Sequence, residues 1–157
     1  MSDPFALPSR KPMIGVVARV HRELRADMLR EAHRRGHTHI TPGHSDVFAT
    51  LPLGGARASD MAANAGITRQ SMGEIIRELV ALGLLEMRPD PTDGRAKIVT
   101  FSPQGLKFTQ EAMQHIIDLE QRFVDEFGAE DYETARRVLE GMVALVDSDT
   151  ARSRSPF

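Results

Sequence analysis

Arg69, Gln70, Ser71 and Arg77 share the polar side of one short apolar-periodic segment, with Gly73 and Glu74 among them and Thr68 just ahead. These side-chain types can read base edges in a major groove. Arginine pairs with guanine or holds phosphate, glutamine matches adenine, serine suits either, and glutamate accepts from cytosine while repelling the backbone. A second set, Asp93, Arg95 and Lys97, surrounds the turn-rich stretch Asp90-Pro91-Thr92-Asp93-Gly94. An aspartate two residues ahead of an arginine can hold the guanidinium extended, and a narrow minor groove attracts arginine. Alone, such a pair is a surface ion pair worth ~0–1 kcal/mol. It gains meaning from the helix that precedes it. Both sets bind; neither makes or breaks bonds. The chain has no nucleophile elbow, phosphate loop, metal motif or paired carboxylates in a cleft, so no enzyme is expected.

The elements that must position these residues follow from periodicity and turn chemistry. Met72, Ile75, Ile76, Leu79 and Leu82 recur at helical spacing over 68–82, with Thr68 as N-cap and Gly83 as terminator. Residues 84–88 and 96–101 lean towards strand, joined by the turn at 90–94. Helix followed by hairpin sets a rod beside a finger, the rod sized for a major groove and the finger for the adjacent backbone or minor groove. Upstream, Ile14, Val17, His21, Leu24, Met28 and Ala32 make the stripe of a first helix over 13–35. Thr41-Pro42 opens a second helix with Val47, Phe48 and Leu51 inward, and a third occupies 59–64. Ser102-Pro103 opens a fifth whose stripe is Phe108, Ala112, Ile116, Leu119, Phe123 and Phe127. After Gly128 a sixth repeats the pattern from Tyr132 to Leu145. A helix of about 25 residues is about 37 Å long, which one small chain does not easily cover. Part of the fifth helix is therefore expected to pack on a second copy.

The expected fold is mainly α with a small β-wing. A winged helix-turn-helix domain at 36–102 joins a helical dimerisation region at 13–35 and 103–147, with flexible segments at 1–12 and 148–157. The 157 residues contain no cysteine, which excludes disulfides, thiolate zinc sites and thiol redox chemistry. No apolar run approaches the roughly 20 residues of a membrane span, and the N-terminus lacks a signal-peptide pattern. A cytoplasmic protein with no membrane partner is expected. Net charge is only −2, but its distribution is uneven. Residues 10–35 hold eight bases against three acids, and residues 109–149 hold eleven acids against three bases. Such ends can face different partners or complement each other across a contact.

The segment ITPGHSDVFATL, then SDMA, then ITRQSMGEIIRELVALGLLEMRPDPTDGRAKIVTFSPQG resembles the multiple antibiotic resistance regulator (MarR) family. The similarity spans about 14–145 in helix order. It is most specific over 67–105, where Asp93-x-Arg95 leads into a β run and a Ser102-to-Gly105 helix start. The resemblance implies an obligate homodimer built from the first, fifth and sixth helices, with two winged-helix lobes on a pseudo-palindromic operator in double-stranded DNA. It also implies repression or activation relieved by a small, often aromatic or phenolic, ligand; no cofactor is expected. Arg57 stands where the third helix usually has a threonine cap. Gly73 and Glu74 stand where small polar and basic residues are commoner, which bears on the operator rather than the fold.

The family's ligand pocket, between the first, second and fifth helices, would have His21, Phe48 and His115 near it, with Arg25 able to pair an acidic ligand. A histidine on an apolar stripe is more often paired within the fold. His37, His39 and His44 could offer three imidazoles to zinc, though no cysteine or well-spaced carboxylate completes the set, so no metal is expected. The alternative to a ligand-responsive regulator is a winged-helix module that binds a protein. It is kept because Arg69, Arg77, Arg88, Arg95 and Lys97 are balanced by Glu74, Glu78, Glu86, Asp90 and Asp93.

Overall fold

A computed structural model describes residues 12–154, with side chains through Ser148. In order come α1 (Met13–Arg34), a 3-10 turn (Pro42–His44), α2 (Ser45–Thr50), α3 (Ala58–Ala65), α4 (Arg69–Ala81), β1 (Leu85–Asp90), β2 (Asp93–Phe101), α5 (Pro103–Phe127) and α6 (Ala129–Arg154). The expected order of helices and hairpin is therefore the order observed. Of the two segments expected to be flexible, 1–11 and 155–157 lie outside the described residues. Residues 148–154 are helical instead, because nothing from 129 to 154 is a proline and the one glycine, Gly141, does not break the turn.

Contacts divide the chain within α5: residues through His115 form one compact unit, and those from Ile116 a second. Within the single chain α1 lies in the first unit, where Arg25 reaches Pro42 O (2.8 Å) and Asp46 (3.4 Å) and His33 Nε2 meets Ile40 O (2.8 Å).

The first unit is built on one core: Ile40, Val47, Leu51, Met61, Met72, Ile76, Leu79, Leu84, Leu85, Val99, Phe101 and Phe108. Every α-helix and strand of the unit contributes except α1, which has no fully buried residue and adds Leu29 and Ala32 at the margin. β1 and β2 pair antiparallel from Leu85↔Phe101 to Asp90↔Asp93, with a register shift at Pro89/Asp90. The connection is thus narrower than the expected turn over 90–94. Asp90 accepts the Thr92 amide (2.8 Å) and hydroxyl (2.7 Å), and this side-chain turn lets the strands close on Pro91-Thr92 alone.

The base of the hairpin is locked twice. Ala56 exchanges two backbone hydrogen bonds with Val99 (3.1 and 2.8 Å), and Gly55 lies so close that a Cβ there would stand 2.8 Å from Val99 O. On the other side, Ser102 Oγ donates to Gly83 O (2.5 Å) and accepts from Gly105 N (2.9 Å), stitching the end of α4 to the start of α5.

In the second unit Phe123 and Tyr132 stack with centroids 6.5 Å apart. The apolar residues Ile116, Ile117, Phe127, Val138, Leu139, Met142, Val143 and Leu145 are exposed on the single chain. No helix among the described residues is long and apolar enough to cross a membrane.

Candidate nucleic-acid interface

α4 divides as its periodicity requires. Met72, Ile76 and Leu79 are buried, while Arg69, Gln70, Ser71, Glu74 and Arg77 are exposed and Gly73 is half-buried. Thr68 Oγ1 accepts from Ser71 N (3.1 Å) and pairs with the Ser71 hydroxyl (2.8 Å), satisfying an amide that the helix start leaves open. Gln70 Nε2 donates to Glu74 Oε1 (3.2 Å). A carboxylate can only accept, so the Gln70 amide must turn its NH2 along the helix and its oxygen outward.

On the hairpin, Asp93, Gly94, Arg95 and Lys97 are exposed. The Asp93–Arg95 relation differs from the expected one. Asp93 Oδ1 accepts the Arg95 backbone N–H (3.1 Å), and its other oxygen lies 3.6 Å from Arg57, so the Arg95 guanidinium is not held by Asp93. A carboxylate two residues before a backbone amide closes a local turn more readily than it follows a long side chain.

The acids of this surface are engaged one by one. Asp90 takes Arg57 (2.6 Å), Glu86 takes Arg88 (2.7 Å), Glu78 meets His44 Nε2 (3.0 Å), Glu74 takes Gln70, and Asp93 is shared between Arg57 and the Arg95 amide. Among the described residues, Arg69, Arg77, Arg95 and Lys97 form no ion pair. Four of the five bases counted in the sequence therefore stand on α4 and the hairpin without an ion pair, although Glu74, bonded to a neutral amide, keeps its charge beside them.

Sequence reasoning missed Arg57 and Asp90 because they sit 33 positions apart, and it missed the work of His44. That imidazole is 2% exposed; Nδ1 accepts the Thr41 amide (3.2 Å), which leaves Nε2 to donate to Glu78 on α4. The His37, His39 and His44 set does not assemble. His37 pairs with Glu111 (3.3 Å) and packs edge-on against Phe108, His39 is exposed, and no group of three ligating side chains among the described residues could hold a metal.

No hydrogen bond, ion pair or ring contact joins His21, Arg25, Phe48 and His115 to one another among the described residues. Phe48 stacks on Phe101 and meets Phe108 at a tilt, His115 binds Asp27 (2.7 Å), Arg25 is held by Pro42 and Asp46, and His21 is exposed. A cavity of about 120 Å³ lies instead among Gly36, His37, His39, Ile40, Leu82, Leu84 and Gln104.

The Thr92 hydroxyl and amide, then Arg57, hold the Asp90 carboxyl down to about 2. Because this folded value lies below that of an ordinary aspartate, ~3.9, the contact contributes fully above that pH and is lost as pH falls through about 2. Following the Asp90 carboxyl carbon by NMR should give a midpoint near 2; a midpoint near an ordinary aspartate's would contradict the geometry.

The sequence profile of the MarR family matches residues 40–96, the stretch from the 3-10 turn to β2. The transcriptional regulator MntR of Salmonella typhimurium is 30% identical over 124 residues, covering 78% of this chain and 72% of that protein. The chain belongs to the MarR family. It is accordingly a winged-helix transcriptional regulator and not an enzyme. Solved structures carry the fold of this MarR-family chain almost end to end. One MarR family transcription regulator superposes with a TM-score of 0.72 at 22% identity, covering 89% of this chain and 91% of its own. The S. aureus MepR–DNA complex superposes with a TM-score of 0.69 at 16% identity, covering 87% and 99%. MepR is also known bound to ethidium bromide, with a TM-score of 0.57 at 20% identity over 82% of this chain and 95% of its own.

Proposed function

We propose that this MarR-family chain acts as a homodimeric repressor, gripping a pseudo-palindromic operator with α4 in the major groove and the β1–β2 wing at the minor groove. The observation that carries the reading is the set of four cations, Arg69, Arg77, Arg95 and Lys97, that have no carboxylate partner among the described residues while neighbouring acids are engaged. Thr68, Arg69, Gln70, Ser71, Gly73, Glu74 and Arg77 form the helix side of the contact; Asp93, Arg95 and Lys97 form the wing side. The MepR–DNA complex supports this use of the fold. Dimerisation is supported by the apolar residues exposed on α1 (Ile14, Val16, Val17, Val20) and in the second unit, which a second copy would cover.

Relief by a small aromatic ligand is supported by MepR bound to ethidium bromide. A ligand that favours the dimer with its lobes wrongly spaced by ~1–3 kcal/mol would change DNA affinity about 5- to 150-fold. His21, Arg25, Phe48 and His115 remain the proposed neighbours of that ligand. Seating it there would require several of their present contacts to open.

Binding to labelled duplex DNA over a salt series tests the reading. Log affinity should fall linearly with log salt, by about 0.9 for each phosphate engaged. Salt-independent or absent binding would hand the chain to the protein-interaction alternative. Gln70→Ala should change which base is preferred at one position of each half-site, at about 1–3 kcal/mol of discrimination. An unaltered preference in that variant would remove Gln70 from base reading.

A further inference from the structure

We infer that Arg57 is the positioning residue of the wing: it touches no DNA itself, and it fixes the hairpin that carries Arg95 by clamping Asp90. The inference rests on the DNA-binding reading for its consequence, although the clamp exists without DNA.

Arg57 is the residue before α3, where its side chain makes no capping bond. Its Nε (2.7 Å) and Nη2 (2.6 Å) instead converge on Asp90 Oδ2. The other Asp90 oxygen accepts the Thr92 amide and hydroxyl. The carboxylate thus accepts three hydrogen bonds from two elements, with the Arg57 Nη2 close against Oδ2 as an ion pair, and Asp90 is only 7% exposed. Charge-assisted bonds are the stronger kind, and a buried carboxylate such as Asp90 that loses its partner is left uncompensated.

A two-stranded hairpin is marginal alone, and its free end can swing. Here one short segment fastens it at two levels. Ala56 bonds to Val99 near the base, and Arg57, the next residue, reaches Asp90 at the tip turn. Arg57 also lies 3.6 Å from Asp93, whose carboxylate closes on the Arg95 amide, so the residue that projects from the wing is two contacts from Arg57. The same cation lies against the two acids of the tip, which would otherwise face phosphate.

The test uses the full-length protein in two arms. In the first, amide exchange is compared for wild type, Arg57→Ala, Arg57→Lys and Asp90→Asn without DNA. Faster exchange at Thr92 and the strand amides near the tip, with α4 unchanged, is expected in all three variants. Lysine keeps the charge but lacks the planar fork whose Nε–H meets Asp90 Oδ2. Unchanged protection in Arg57→Ala, or full rescue by Arg57→Lys, would overturn the positioning role. This arm decides the clamp even if no duplex binds, an outcome that would sink only the proposed function.

In the second arm a double-mutant cycle reads DNA affinity. Arg57→Ala should weaken binding about tenfold in the native background and less than about twofold once Arg95→Ala is present, since both act through one contact. Equal losses in the two backgrounds would show Arg57 acting independently of the wing and overturn the inference. If Arg95→Ala alone changes nothing, the wing reading fails and the clamp loses its function, while the exchange result stands.

Discussion

Gly105→Ala will destabilise the first unit by about 2–4 kcal/mol, while Gly73→Ala will leave it unchanged or raise stability by up to ~1 kcal/mol. The chemical change is the same, and the surroundings set the sign. A Cβ on Gly105 would collide with the backbone carbonyl of Leu84, which cannot swing aside because it accepts the Ser102 amide (3.0 Å). Relief would come only by separating α5 from the β1 end of the hairpin, stretching the Ser102 Oγ bonds to Gly105 N and Gly83 O. On α4, a Cβ at Gly73 meets only the Arg77 Nη1 at 3.5 Å, ordinary contact with the end of a flexible chain. There the gain in helix propensity is unopposed. In a unit of about 100 residues the first change should lower the melting temperature by roughly 10–25 °C. Equal melting of the two variants would mean that the junction is looser than these contacts require.

The second large effect is on binding. Arg95→Ala should weaken duplex affinity about 10- to 100-fold, the loss of a charge-assisted contact worth ~1.5–3 kcal/mol, and reduce the salt slope by about 1 per site. Arg95 is poised for this because its guanidinium forms no ion pair among the described residues. Asp93, expected to hold it, takes its backbone amide instead and leaves the side chain free to extend. The reduction should appear across unrelated sequences, since a wing arginine responds to groove width and phosphate more than to base identity. Affinity in Arg95→Ala equal to wild type at every salt concentration would remove the wing from the mechanism.

What could be read from the chain beforehand was local. Thr68 and Ser102 announce helix starts by their own hydroxyls, and both accept the amide three residues on. Met72, Ile76 and Leu79 reveal the buried side of α4 by spacing alone. Long-range side-chain pairing leaves no such trace. His44 meets Glu78 34 positions away, Arg57 meets Asp90 33 away, and His115 meets Asp27 88 away. For that reason the balanced charge of the recognition region looked neutral in sequence and resolves into engaged acids and free cations in the fold. The histidines between α1 and α2 show the same limit: His37 meets Glu111 and His44 meets Glu78, partners that their spacing in sequence does not reveal. The narrow turn at Pro91-Thr92 depended on Asp90 folding back on Thr92, a choice that turn composition alone leaves open.

In the proposed dimer two copies of α4 and its wing read one duplex together. Selecting bound fragments from a randomised DNA library with the full-length protein tests it most directly. A two-fold symmetric motif whose half-sites lie about 34 Å, or one helical turn, apart is expected. Enrichment of an asymmetric single site, or of no sequence at all, would contradict it.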